Sequence, residues 1–89
     1  MPLDQTLQRP PATMSLADAP VGSELRIAAV APGSGLVRRL TELGLPRGAE
    51  VTVAGRMGRK GAVILAAHGT RLVIGADMAA AITVAPIGA

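Results

Sequence analysis

Few side chains in this sequence could carry out chemistry. Among 89 residues there is one histidine, His68, and no cysteine, so a thiolate nucleophile and a cysteine-based metal site are excluded. Transition-metal sites need several converging histidine, cysteine or carboxylate groups, yet no acidic residue lies within seven positions of His68. Met57 and Met78 are isolated, which is typical of methionines that fill gaps or lie exposed rather than bind metal. The sequence therefore predicts no catalytic residue, no metal ligand and no cofactor.

The strongest candidate for an interaction is a glycine-rich basic loop predicted over residues 55–61. It carries Arg56, Arg59 and Lys60, with Met57 among them. Its glycines would let the backbone approach a partner, and its cations could pair with carboxylates or phosphates. A solvated hairpin explains the same residues equally well. An apolar Met57 between charges favours contact with a protein, and the loop is not a phosphate loop, because no Gly-Lys-Ser/Thr ends it.

A second basic pair, Arg38 and Arg39, falls within a predicted helix. Either residue alone is typical of a solvated surface. Together with Glu42 they could form a docking face toward an acidic partner. The predicted partner-binding residues are therefore the following six: Arg38, Arg39, Arg56, Met57, Arg59 and Lys60.

Composition indicates a small domain that could bind an acidic partner, whether nucleic acid, anionic lipid or an acidic protein face. The chain is 49% apolar but has no aromatic residue, and its 9 cations against 6 acids give a net charge of +3. From Pro46 onward five cations face two acids, so the excess lies in the second half. Nucleic acid is disfavoured because single-strand binding relies on aromatic stacking. A groove for proline-rich peptides would also be lined by aromatic residues.

The remaining sequence indicates a cytoplasmic protein with a short tail. No stretch approaches the ~18 apolar residues of a membrane span, and the first residues lack the basic and apolar regions of a signal peptide. Residues 1–14 are predicted to be a flexible tail, and residues 15–89 a single domain. Met14 would also serve as a start codon, so the tail is either a start-site artefact or a proline-containing docking segment.

The spacing of apolar residues predicts one helix over residues 34–43. Four apolar side chains fall on one stripe of that helix: Leu36, Val37, Leu40 and Leu43. Ser34 is the expected N-cap. Gly44 suits the left-handed position after the helix, with Leu45 making the apolar contact that follows, and Pro46 prevents continuation.

Alternating apolar residues predict five short strands, over residues 24–31, 49–54, 62–67, 70–74 and 82–85. The first strand would direct Leu25, Ile27 and Ala29 inward. The run 62–67 is apolar almost throughout, which predicts burial on both faces. His68-Gly69 reads as a tight turn, and residues 76–81 as one helical turn. Five strands with one helix between the first and second suit a bent sheet that closes as a barrel, with the helix plugging one open end.

Two groups of motifs resemble the FeoA domain family, small SH3-like barrels linked to bacterial ferrous iron uptake. The central group matches in order and spacing: Arg39-Leu40, Leu43-Gly44-Leu45, Pro46-Arg47-Gly48 and Val51-Thr52-Val53. The C-terminal group is supportive: Leu72-Val73-Ile74, Ala79 and Ile82-Thr83-Val84. Gly75 departs from the pattern, because the family often carries arginine there. The chain is also similar to the C-terminal module of iron-dependent repressors.

The resemblance implies a mainly β fold, a small SH3-like five-stranded barrel with one short α-helix between strands 1 and 2. It further implies a non-enzymatic accessory protein of ferrous iron uptake that docks onto the cytoplasmic side of the FeoB transporter, which carries a G-protein domain. No small-molecule substrate is implied, and the protein would be peripheral at the inner membrane through its partner. The alternative is a nucleic-acid-associated barrel of the ribosomal or transcription type. Weak self-association through an exposed sheet edge also stays open.

Overall fold

The computed structural model describes residues 13–33, 35–58 and 61–87. Within these ranges the chain forms six strands and two α-helices, with a 3-10 turn over Leu16–Asp18. The elements follow in the order β1 (Met14–Ser15), β2 (Glu24–Val30), α1 (Leu36–Glu42), β3 (Glu50–Arg56), β4 (Val63–Ala67), β5 (Thr70–Ile74), α2 (Ala76–Ala80) and β6 (Ile82–Pro86).

All six strands join one antiparallel sheet in the order β1-β6-β2-β3-β4-β5. The mainly β prediction is confirmed, and the sheet is consistent with an SH3-like fold. The five-stranded closed barrel is not confirmed, because the edge strands β1 and β5 are not paired with each other in the described ranges. β1 was missed because its two residues are too few to show an alternation, and Met14, placed by the sequence in the tail, pairs with Val84. With β1 counted, α1 follows the second strand rather than the first, and its predicted role as a plug stays a prediction.

Two β-bulges shift the register that simple alternation predicts. In β2 the pairing with β6 shifts between Ile27 and Ala29, so Ala29 is exposed rather than buried as predicted. In β3 the pairing with β4 shifts between Val53 and Gly55. The second bulge lets β3 continue to Arg56, two residues beyond the predicted end. A bulge inserts one unpaired residue and reverses the faces of those that follow.

The core is made of aliphatic side chains alone. Buried residues come from every strand except β1, and also from the 3-10 turn, both helices and Leu45 after α1. Among the described residues no polar or charged side chain is buried. β4 alternates, with Val63, Leu65 and Ala67 buried and Ile64 only half-buried. The prediction that this strand is buried on both faces is therefore wrong, because Ile64 and Ala66 on its other face are only half-buried.

Helix α1 ends as the sequence predicts. Gly44 has a φ of 82°, and its N–H donates to the carbonyl of Thr41 at 3.0 Å. The N–H of Leu45 donates to the carbonyl of Leu40 at 2.8 Å. These two bonds form a Schellman motif, and its apolar partners Leu40 and Leu45 are both 1% exposed. The helix end is therefore confirmed.

The start and the exposed side of α1 differ from the prediction. The helix has seven residues rather than ten and begins after Gly35, which makes no side-chain capping bond; Ser34 lies outside the described residues. Of the predicted stripe, Val37 is 54% and Leu43 is 41% exposed. At ~100° per residue these two flank the buried Leu40 about 120° apart, and of the four stripe residues only Leu36 and Leu40 are buried.

A two-residue turn joins β4 to β5, as the sequence predicts. His68 has a φ of 53° and Gly69 a φ of 75°, and the flanking residues Ala67 and Thr70 are paired. Positive φ at both central positions is typical of a type I′ hairpin. The His68 side chain is exposed on this turn. No helix in the described ranges is long and apolar enough to cross a membrane.

Candidate interaction surface

Arg56 lies in a strand of the sheet and not in a loop. It is the last residue of β3, pairs with Val63 and is half-buried. Its guanidinium Nη2 donates a hydrogen bond to the backbone carbonyl of Ala19, a core residue. This bond joins the end of β3 to the N-terminal segment. The prediction that the basic loop begins at Gly55 is wrong, because pairing with β4 extends through Gly55 and Arg56.

The remaining loop residues follow Arg56. The N–H of Met57 donates to the carbonyl of Ala62 at 2.9 Å, which closes the base of the loop. The Met57 side chain is 53% exposed, and its contact with a partner stays a prediction. Arg59 and Lys60 lie outside the described residues. Val21 is 58% exposed and lies at the same end of β3.

The cations of α1 are exposed, as predicted. The Nε of Arg38 lies 3.4 Å from the Oε2 of Glu42, one helical turn away, and both side chains are largely exposed. Arg39 is also exposed. Arg38 and Glu42 carry opposite charges one helical turn apart, so together they add no net charge to this surface. Their attraction is weak, because both side chains are exposed and water screens the pair.

The predicted site residues that the structure describes do not form one surface. Arg56 lies at the end of β3 that adjoins the start of β2, where the N–H of Gly22 donates to Val53. Helix α1 follows Val30, at the other end of β2. A seven-residue strand spans roughly 20 Å. The two arginines of α1, Arg38 and Arg39, and the loop that begins at Met57 are therefore two separate candidate surfaces.

A groove beside α1 was missed by the sequence analysis. It encloses about 300 Å³, and its sides come from the end of β2, from α1 and from the turn after it. The lining residues are Val30, Val37, Leu40, Thr41, Leu45, Pro46 and Arg47. The hydroxyl of Thr41 donates to the carbonyl of Val37 at 2.9 Å, so the surface offered is mainly apolar with one cation. We call it the α1 groove.

A second depression of about 280 Å³ lies on the outer face of the sheet. Its lining includes Glu24, Glu50 and His68. Glu50 accepts a hydrogen bond at 3.0 Å from the guanidinium of Arg26 across the sheet. Within the described residues no three histidine, aspartate or glutamate side chains are grouped so that they could hold a metal ion.

Comparison with solved structures gives the same fold. A crystal structure titled as the iron uptake regulatory protein FeoA is 25% identical, covering 82% of this chain and 95% of that one, with a TM-score of 0.72. The solution NMR structure of FeoA from Chlorobium tepidum is 28% identical over 84% of this chain and 71% of its own, with a TM-score of 0.75. A manganese-dependent transcriptional repressor shares the fold at 19% identity and a TM-score of 0.78, with 88% of this chain covering 44% of the repressor.

Comparison with protein sequences adds the family. No curated protein sequence matches this chain. The family model of the FeoA domain matches residues 14–86, from the first residue of β1 to the last residue of β6. The resemblance drawn from the central and C-terminal motifs is thereby confirmed. The chain belongs to the FeoA domain family.

Proposed function

We propose that this chain is a non-enzymatic accessory protein of bacterial ferrous iron uptake that docks onto the cytoplasmic part of the FeoB transporter. The observation that carries the proposal is the family match, which spans all six strands. A similar solved structure is titled as an iron uptake regulatory protein, which supports the same process. The family match supports the role in iron uptake, and docking onto the transporter is the additional step that we propose.

The described surface supports a docking role. On α1 the exposed Val37 adjoins the exposed Arg38, and in the sequence the exposed Met57 is followed by the cations Arg59 and Lys60. Such a combination suits a protein partner that carries acidic and apolar residues. Docking would regulate the transporter by favouring one of its conformations, because a ligand shifts an equilibrium only through differential affinity.

The pairing of ionisable side chains supports a non-enzymatic role. The ion pairs within the described residues, Arg26–Glu50 and Arg38–Glu42, both join a guanidinium to a carboxylate. Covalent catalysis requires instead a nucleophile beside a base. Both pairs lie on the surface with exposed side chains, and we assign no reaction to them.

An amide NMR titration tests the proposal. The isotope-labelled chain is titrated with the cytoplasmic part of the co-encoded transporter, with and without guanine nucleotide. We expect localised shifts at residues 57–62 or along α1, and a nucleotide-dependent difference would identify a regulator. A spectrum that stays unchanged in both nucleotide states would contradict docking.

A further inference from the structure

We propose that the α1 groove binds an aliphatic side chain of the protein partner, while Arg47 beside it pairs with a neighbouring carboxylate of the same segment. The inference rests on the proposed function and assigns to it a surface and a partner chemistry. It therefore commits to an acidic, apolar protein segment rather than to a second copy of this chain.

The size and lining of the groove suit a side chain. Ligand pockets range over roughly 300–1,000 Å³, and the α1 groove, at about 300 Å³, is at the small end. Leu40 and Leu45 form its base and are each 1% exposed. Val37 forms one side and is 54% exposed. An incoming aliphatic group would remove Val37 from water, which is the favourable term in such contacts.

The groove is built on fixed backbone. Leu45 is held by the 2.8 Å bond from its N–H to the carbonyl of Leu40. The turn that carries Arg47 is closed by a bond from the N–H of Ala49 to the carbonyl of Pro46 at 2.9 Å. Its next residue, Gly48, donates to the carbonyl of Ile27 in β2 at 2.8 Å. A preorganised site loses little conformational entropy on binding.

The positive charge of Arg47 and of the whole chain favours an acidic partner segment over a second copy of this chain as the occupant of the groove. In the described ranges the carboxylates within 4.0 Å of an arginine belong to the pairs of Arg26 and Arg38, so no described carboxylate pairs with Arg47 at the groove. A carboxylate placed there would gain a charge-assisted hydrogen bond. Two copies of this chain would each bring a net charge of +3, and like charges oppose their association.

The test compares two groove variants with two matched controls. Val37→Ser removes the apolar side of the groove, and Arg47→Glu reverses its charge. The controls are Val73→Ser, a valine 61% exposed on β5, and Arg71→Glu, an exposed cation on the same strand. Each is titrated by NMR with the cytoplasmic part of the transporter, and its own amide spectrum reports whether it is folded.

We expect both groove variants to raise the dissociation constant at least about tenfold, with the controls changing it less than about twofold. Binding of the groove variants at wild-type affinity would overturn the groove and leave the proposed function standing. A wild-type chain that does not bind the transporter would overturn both. Shifts of the groove amides with protein concentration alone, reversed on dilution, would identify a second copy as the occupant and overturn the partner assignment.

Discussion

At the scale of single residues, the function of a cation depends on what its side chain reaches. Arg56 looks in the sequence like one of three charges on a loop, yet its guanidinium bonds to the carbonyl of Ala19. Arg39 occupies an exposed helix position, which the sequence does predict. The exposure of Arg39 can be predicted because helical spacing depends only on neighbouring residues. The hydrogen bond of Arg56 cannot be predicted in this way, because its acceptor lies 37 residues away.

We expect Arg56→Ala to lower the free energy of unfolding by about 1–2 kcal/mol, since it removes a hydrogen bond from a charged donor together with stem packing. Urea unfolding followed by circular dichroism measures the change. Arg39→Ala is the control and should stay within about 0.5 kcal/mol of wild type. Equal stabilities for the two variants would show that the bond to Ala19 contributes nothing.

Charge reversal at Arg59 and Lys60 together is expected to weaken docking onto the transporter without lowering the melting temperature. The reason is that these cations would meet carboxylates of the partner. Arg56 is left unchanged, because its loss would confound binding with stability. Titration calorimetry gives the affinity and thermal unfolding the stability; an unchanged affinity would exclude the loop from the interface.

At the scale of elements, the end of α1 illustrates local control of structure. Gly44, Leu45 and Pro46 follow one another in the sequence and together stop the helix, because the Schellman bonds join residues at most five apart. The extent of the buried stripe is a different matter. Leu40 is buried while Val37 and Leu43 are exposed, because the position of the sheet determines how wide the contact is.

We expect Gly44→Ala to destabilise the domain by about 1 kcal/mol. An added Cβ would meet nothing within 4 Å, so the cost comes from the φ of 82° alone. Gly55→Ala is the matched control, because its φ is not positive and its nearest contact is an ordinary 3.5 Å to Ile64. Chemical denaturation of both variants separates backbone strain from general sensitivity to a methyl group.

Leu40→Asp should leave the domain unfolded, because it places an unpaired charge in an aliphatic core. Leu43→Asp, three residues later on the same predicted stripe, should remain folded, because that side chain is 41% exposed. Amide proton dispersion in a one-dimensional NMR spectrum distinguishes the two states. A folded Leu40→Asp variant would contradict the observed packing of α1.

At the scale of the whole molecule, the net charge of +3 admits two classes of partner, and salt distinguishes them. Docking through Arg47 and a few other cations should weaken only a few-fold between roughly 50 and 200 mM salt. A nucleic acid that contacted five cations would lose about a hundredfold over the same range through counterion release. We expect the weaker dependence for the transporter, measured by calorimetry at several salt concentrations. A steep loss with RNA, combined with no binding to the transporter, would favour the nucleic-acid alternative.

Features that depend on near neighbours in the chain were predictable from the amino-acid sequence. These are the alternation of Val51 and Val53 into the core, the Gly44 end of α1 and the His68-Gly69 turn. Its central motifs also identified the family correctly, because they encode this same helix end, turn and strand in consecutive residues. Each such feature requires only a few adjacent residues with suitable φ angles or side-chain periods.

Features that depend on distant partners emerge when the chain folds. The bulges in β2 and β3 arise from pairing with β6 and β4, and β1 exists because Val84 lies beside Met14. The open edge of β5, the bond from Arg56 to Ala19 and the α1 groove likewise combine separate segments of the chain. Their residues are unremarkable in type and spacing, so no local pattern reveals them. Contact across the folded sheet decides which side chains remain exposed for a partner.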